Sequence, residues 1–209
     1  LTEELPRVGR EALDVAPLPL RVERVEGEAR LAAARQPGDD DEVVARVVAQ
    51  VSANKVGDAL DPASQMGPLN SVPHYQRVLS FCESARKDGA KLLTGGERPA
   101  GEAFRRGYWL RPTVYGDVTM SMRVAREEIF GPILSILKWK TQEEAIAMAN
   151  ATEYGLGSGV WTHDLKVAMT FARALQSGFV WINTTARHFV GTPFGGWKNS
   201  GLGREECLE

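Results

Sequence analysis

Val43, Val44, Val47, Val48 and Val51 recur at the i, i+3, i+4 spacing that places them on one face of a helix. Ahead of them, Asp39-Asp40-Asp41-Glu42 puts negative charge at the helix start, where it suits the macrodipole. A second helix is predicted from Ser71, a capping hydroxyl with Pro73 near the first turn. Val78, Leu79, Cys82 and Ala85 are its buried side and Gly89 its stop. Lys91-Leu92-Leu93 reads as a short strand, residues 95–107 as a charged surface loop, and Tyr108 to Val114 as strand-like with Pro112 marking an edge or bend. Ile133 to Trp139 is a nearly continuous apolar run, as expected of a strand covered on both faces. Thr141-Gln142-Glu143-Glu144 is a capping box that opens a helix through Asn150. Ser158 to Trp161 is a further strand. Asp164 to Gln176 is a helix with Val167, Ala168, Phe171 and Leu175 inward, ended by Gly178, and Phe179 to Asn183 is a third strand. Strands alternating with helices of this length predict right-handed crossovers and an α/β fold, a largely parallel sheet with flanking helices.

Residues 1–38 read differently from the rest. They contain no Lys, no Asn and no aromatic residue; the first Lys is Lys55 and the first aromatic Tyr75. Leu18, Leu20, Val22 and Val25 fit a short strand, and Ala29 to Arg35 has helical propensity with little apolar stripe. Two readings stand for this segment: a poorly ordered or domain-edge stretch, and an altered reading frame of GC-rich DNA, which favours Ala, Arg, Gly and Pro. The expected organisation is an atypical segment over 1–38 and one α/β domain over 39–209.

Charge and composition narrow the partners. The 209-residue chain has 25 Lys and Arg against 27 Asp and Glu, a net charge of -2, which favours neither nucleic acid nor an anionic membrane. No apolar run approaches the roughly 20 residues that span a bilayer, and no signal peptide opens the chain. Cys82 and Cys207 make no disulfide framework. A cytoplasmic protein is expected, and no metal site is assigned.

Several stretches are candidates for chemistry. A carboxylate of Glu127-Glu128, in a loop before a buried strand, is either solvated or placed to accept hydrogen bonds from a ligand's vicinal hydroxyls. Phe194, after a strand that ends in an α/β sheet, is either a core aromatic or an apolar wall for a ligand. The glycines of 193–196 and 200–205 lack the spacing of a phosphate-binding loop, so their predicted role is to let two backbones pass closely. Gly155-Leu156-Gly157-Ser158-Gly159 follows a helix and precedes a strand, the reverse of what pyrophosphate binding at a helix N-terminus requires. Cys82, on the apolar side of its helix, reads as a core thiol.

Four stretches together resemble one family. Val56-Gly57-Asp58-Ala59-Leu60-Asp61-Pro62, Gln65-Met66-Gly67-Pro68-Leu69, Arg126-Glu127-Glu128-Ile129-Phe130-Gly131-Pro132 and the run from Pro193 to Glu205 are similar to the NAD(P)-dependent aldehyde dehydrogenases, in the C-terminal half of their catalytic domain. The resemblance runs from about Val56 to the end. It implies oxidation of an aldehyde to a carboxylic acid, with NAD or NADP as cofactor, a small-molecule aldehyde as substrate and a homo-oligomer as the assembly. By the same resemblance Glu128 holds the nicotinamide ribose, Phe130 packs beside it, and His74 and Arg77 contact the cofactor. Phe194 and His188 flank the substrate tunnel, where a histidine hints at a polar or unusual substrate, unless His188 is simply a surface residue.

The family's chemistry needs a thiolate that attacks the carbonyl and a glutamate that activates water to hydrolyse the resulting thioester. Its cysteine would fall about thirty residues before Val56, near Gly27-Glu28, where this sequence has none. No catalytic residue is therefore assigned. The expectation is a truncated member lacking the nucleophile motif and the cofactor domain. The alternative is a non-catalytic remnant that serves as an oligomer partner or a small-molecule binding module.

Overall fold

The computed structural model describes the backbone of Arg21–Glu23 and Arg30–Ala32 and, from there on, residues 39–185 and 187–207. In chain order the elements are β1 (Arg21–Glu23), β2 (Arg30–Ala32), α1 (Asp39–Ser52), α2 (Val72–Lys87), β3 (Lys91–Thr94), β4 (Thr113–Gly116), α3 (Arg123–Arg126), β5 (Ile133–Ile136), α4 (Gln142–Asn150), β6 (Tyr154–Gly155), β7 (Gly157–Trp161), α5 (Leu165–Ala174), β8 (Phe179–Ile182) and β9 (Trp197–Lys198).

The predicted caps form as chemistry. The Ser71 hydroxyl accepts from the His74 amide at 3.4 Å, and Gly89 leaves α2 at φ +88°, a left-handed value that favours glycine. Thr141 Oγ1 accepts from the Glu144 amide at 3.2 Å, while the Glu144 carboxylate accepts from the Lys140 amide at 2.8 Å, so the box closes one residue earlier than its usual form. Asp164 Oδ1 accepts from the amides of Lys166 and Val167, fixing the start of α5. That helix ends at Ala174, four residues before Gly178.

One sheet has the order β2-β5-β4-β3, with parallel β2/β5 and β4/β5 ladders and an antiparallel β3 at the edge. A second has the order β1-β7-β8, parallel between β7 and β8 and antiparallel at β1; β6 and β9 form a small antiparallel pair. Each larger sheet thus has an antiparallel strand at one edge, β3 or β1, and a parallel one at the other, β2 or β8.

Helices cover both faces of the first sheet, and the strand alternation decides which residue meets which helix. Ile133 and Leu137 join the cluster of Val78, Phe81, Cys82 and Ala85 from α2, whereas Ile136 and Val114 join Val47 from α1. Between them Ser135 turns its hydroxyl to the Val124 carbonyl at 3.1 Å. The second sheet packs Val160 against Phe171 of α5 and against Leu175 just past its end, together with Trp139 and Ala145. Asn150 ties the two crossover helices end to end: its amide nitrogen donates to the Ala174 carbonyl and its oxygen accepts from the Gln176 amide, both at 2.8 Å.

Two local expectations change. The helical propensity of Ala29 to Arg35 gives way at Arg30–Ala32 to a strand paired in parallel with β5; an unpaired edge on a central strand outweighs a weak local preference. Of Tyr108 to Val114 only the end is strand: β4 begins at Thr113, directly after Pro112, which has no N–H to give a ladder. Val22 lies in β1, as the apolar pattern suggested. Leu18, Leu20 and Val25, and with them the reading of 1–38 as poorly ordered or frame-altered, lie outside the described residues.

Candidate functional site

The loop from Glu127 to Gly131 leaves α3 and enters β5, and every residue in it is fixed by a different contact. Glu127 pairs with Arg123 one turn back at 3.0 Å. Ile129 is buried among Val78, Phe81 and Leu137. Gly131 lies against α2 so closely that a Cβ there would stand 2.7 Å from Val78 Cγ2. Between these anchors the Glu128 side chain is half-buried, and Phe130 is 65% exposed with its backbone at φ +54°. A phenylalanine in the left-handed region costs roughly 1–2 kcal/mol, so the surroundings must hold it there.

His74 and Arg77 do part of that holding. The His74 ring donates from Nε2 to the Phe130 carbonyl at 2.6 Å, its Nδ1 meets Asn70 Oδ1 at 2.9 Å, and its ring lies 6.2 Å from that of Phe130. Arg77 Nη2 donates to the Glu128 carbonyl. The Arg77 and Arg123 guanidiniums stack over Phe81 at 4.9 and 3.9 Å from its centroid, one turn of α2 below the loop. The four residues expected at the cofactor therefore meet in one cluster, with the two from α2 directed at the loop's backbone.

Phe194 and His188 form the second cluster. Phe194 is buried, and its ring centroid lies 4.3 Å from that of His188, 5.8 Å from Phe179 and 6.3 Å from Trp181. His188 Nδ1 is 2.7 Å from the Glu206 carboxylate, and the Phe194 and Glu205 backbones exchange hydrogen bonds, so the chain's last described residues fold back over this cluster. Phe179, Trp181 and Glu206 were not singled out from sequence. The two aromatics read there only as strand residues, and nothing in the spacing joins Glu206 to His188.

The glycines divide between two uses: Gly178, Gly195 and Gly196 let backbones pass closely, whereas Gly201 and Gly203 meet nothing within 4 Å and supply φ values of +128° and +81°. A Cβ on Gly178 would stand 1.6 Å from the Gly195 carbonyl oxygen, and one on Gly196 would stand 2.5 Å from that of Ser200. Arg204 Nη1 donates to the carbonyls of Gly196 and Gly203. Lys198, itself at φ +53°, donates to the carbonyls of Asn150 and Thr152, closing the end of α4.

The two cysteines differ in their surroundings. Burial pushes the Cys82 thiol up from its ordinary value; the phenol of the buried Tyr115 donates to the Cys82 carbonyl at 3.4 Å, and burial raises that group too. Cys207 is half-buried near the C-terminus. No group of three or more His, Cys, Asp and Glu among the described residues could hold a metal, and no described helix is long and apolar enough to cross a membrane. A cleft of about 770 Å³ opens beyond α3, lined by Arg123, Arg126, Glu127 and Glu153 among others, but neither Glu128 nor Phe194 lines it.

Parallel ladders, a clamped acidic loop leading into the buried β5 and a folded-back aromatic cluster make this an α/β catalytic-domain-like fold of the kind found in solved aldehyde dehydrogenases. The chain belongs to the aldehyde dehydrogenase family, oxidoreductases that act on aldehydes: the family's sequence profile matches residues 36–209. It is 44% identical over 173 residues to aldehyde dehydrogenase tropH of Talaromyces stipitatus, covering 81% of this chain and 34% of that protein. Against betaine aldehyde dehydrogenase of Mesorhizobium japonicum it is likewise 44% identical over 173 residues, 83% of this chain and 36% of that one. The crystal structure of betaine aldehyde dehydrogenase from Staphylococcus aureus in complex with NAD+ superposes with a TM-score of 0.79 at 35% identity, over 83% of this chain and 35% of its own. The chain thus spans about a third of the length of the relatives it matches.

Proposed function

We propose that this chain forms the nicotinamide-ribose and aldehyde-facing part of an NAD(P)-dependent aldehyde dehydrogenase, and that on its own it binds ligand without turning it over. The observation that carries this is the loop at 127–131, which offers a half-buried carboxylate and an exposed ring from a fixed backbone. The donor set suits a nicotinamide riboside: the Glu128 carboxylate accepts from two vicinal hydroxyls, and Phe130 gives an apolar face for the nicotinamide ring. When bound, the cofactor would supply the hydride acceptor. Phe194 would wall the aldehyde's side chain, with His188, held by Glu206, adding a polar edge. Gly178, Gly195 and Gly196 face other backbone segments, so the proposed contact is with the riboside end, and either NAD or NADP meets it.

Binding without turnover is favoured by the state of Cys82, since attack on a carbonyl requires a thiolate and burial disfavours that form there. A second copy of this chain is the proposed macromolecular partner, supported by the exposed apolar side chains of Val190, Trp197 and Leu202 near the C-terminus; with a net charge of -2, nucleic acid and membrane are not proposed.

The test is thermal denaturation with NAD, NADP and nicotinamide mononucleotide. A ligand at a hundredfold excess over its Kd stabilises by about 2.7 kcal/mol, and at roughly 2–4 °C per kcal/mol for a chain of this size the shift is readily measured. Glu128→Gln is expected to lose most of that shift, measured from the variant's own unliganded midpoint. No shift with any of the three ligands would reject the reading. Aldehyde-dependent NADH formation that is lost in Glu128→Gln would show that the chain carries its own nucleophile, contrary to the second half of the proposal.

A further inference from the structure

We propose that His74 and Arg77 are positioning residues, holding the 127–131 loop by its backbone so that the Glu128 carboxylate and the Phe130 ring stay presented to a nicotinamide riboside. The clamp itself stands on geometry; its purpose rests on the role proposed for Glu128. The two donors leave α2 three residues apart, so they share one face of the helix and reach the loop one above the other. Each takes a main-chain carbonyl rather than a side chain: Nε2 of His74 takes that of Phe130, and Nη2 of Arg77 that of Glu128.

The carbonyls they take flank Ile129, whose side chain is buried in the same helix's core cluster. Apolar burial and two polar contacts thus alternate along three successive residues. With Ile129 inward and both neighbouring carbonyls bonded to α2, the Phe130 ring stays exposed beside His74 and the Glu128 side chain stays half-buried. Phe130 shows the result, exposed and left-handed. Both donors are themselves held. Asn70 fixes the His74 ring from its other nitrogen, and Phe81 lies under the Arg77 guanidinium. A role acting through the loop also accounts for side-chain atoms spent on carbonyls, where a direct ligand would leave them for the cofactor.

The experiment is 15N relaxation on the 209-residue chain and its variants, followed by titration with nicotinamide mononucleotide. In the unaltered protein the Glu128, Phe130 and Gly131 amides are expected to have order parameters of about 0.85, those of rigid backbone, falling below about 0.6 at Phe130 and Gly131 in His74→Ala and at Glu128 in Arg77→Ala. His74→Gln, whose amide nitrogen reaches the place of Nε2, is expected to restore them; the shorter His74→Asn is not. A loop competent about a tenth of the time weakens apparent affinity for the mononucleotide about tenfold, so the alanine variants lose about that factor and His74→Gln recovers it.

Unchanged order parameters in both alanine variants would overturn the clamp. So would an equal loosening of β5, or identical behaviour of Gln and Asn at position 74, since either marks a merely structural residue. A loosened loop with unaltered mononucleotide affinity would overturn the positioning role. Glu128→Gln separates the two levels: it weakens the mononucleotide with the loop still rigid. If the unaltered chain does not bind the mononucleotide, the reading of Glu128 fails while the order parameters still decide the clamp.

Discussion

Gly178→Ala is expected to cost more than about 4 kcal/mol, enough to remove most of the stability of a typical domain. The added Cβ would stand 1.6 Å from the Gly195 carbonyl oxygen, 2.7 Å from its carbon and 3.3 Å from the Gly196 Cα. All three are backbone atoms, so no rotamer change relieves the clash and the two segments must part. Parting them strains the hydrogen bonds from Gly178 and Phe179 to Gly155 and Leu156, which lead into the β7/β8 ladder. It also shifts Phe194, which directly precedes Gly195. Gly89→Ala is the control: it meets nothing within 4 Å and loses only the tolerance of its left-handed φ, about 1–2 kcal/mol. Urea denaturation of the two variants measures both terms, and a Gly178→Ala midpoint no lower than that of Gly89→Ala would refute the close passage.

Phe81→Ala has the second-largest expected effect, about 3–5 kcal/mol, because the ring is fully buried and its removal leaves a cavity in the core shared by α2, α3 and β5. Its consequence reaches beyond stability. Arg77 and Arg123 both stack on this ring, and they hold the Glu128 carbonyl and the Glu127 carboxylate respectively. One substitution therefore removes the platform of both guanidiniums. The expected result in chemical denaturation is a large fall in midpoint, with any residual folded protein bound more weakly by nicotinamide mononucleotide. A loss of no more than about 1 kcal/mol would mean that the two arginines fill the space the ring leaves.

The residues that spoke clearly in the sequence were those whose role is local. The valine stripe of α1, the caps at Ser71 and Thr141 and the start of the apolar run at Ile133 each depend on neighbours within a turn and formed where they were read, although β5 ends at Ile136 rather than Trp139. The glycines gave a lead that held in part: close approach is the use of Gly195 and Gly196, while Gly201 and Gly203 have open space and serve a left-handed backbone instead. What stayed hidden depends on distant partners. The strand at Arg30–Ala32 exists because β5 offers an edge, about a hundred residues away in sequence. His74 and Arg77 could be named for the site, but their targets are carbonyls 56 and 51 residues downstream, and a main-chain acceptor leaves no mark in side-chain identity. The pairing of His188 with Glu206 was invisible for a similar reason: only the fold-back of the C-terminal segment creates it. By contrast Arg123 and Glu127 stood at an i, i+4 spacing that could have been read as a pair.

The alternation along β5 also governs which lengths of chain this fold tolerates. Ile133 and Leu137 face α2 while Ile136 faces α1, so insertion or deletion of one residue within 133–137 would exchange the sets offered to the two helices. It would bring the Ser135 hydroxyl to the valine layer and turn an apolar side chain such as Ile136 toward a carbonyl that now receives a hydrogen bond. Variation in length is therefore barred from this stretch and from the clamped loop before it. Residues 95–107 form no strand ladder, so a lineage of such chains is freer to lengthen or shorten there, provided that Arg98 keeps its place over Tyr75 of α2.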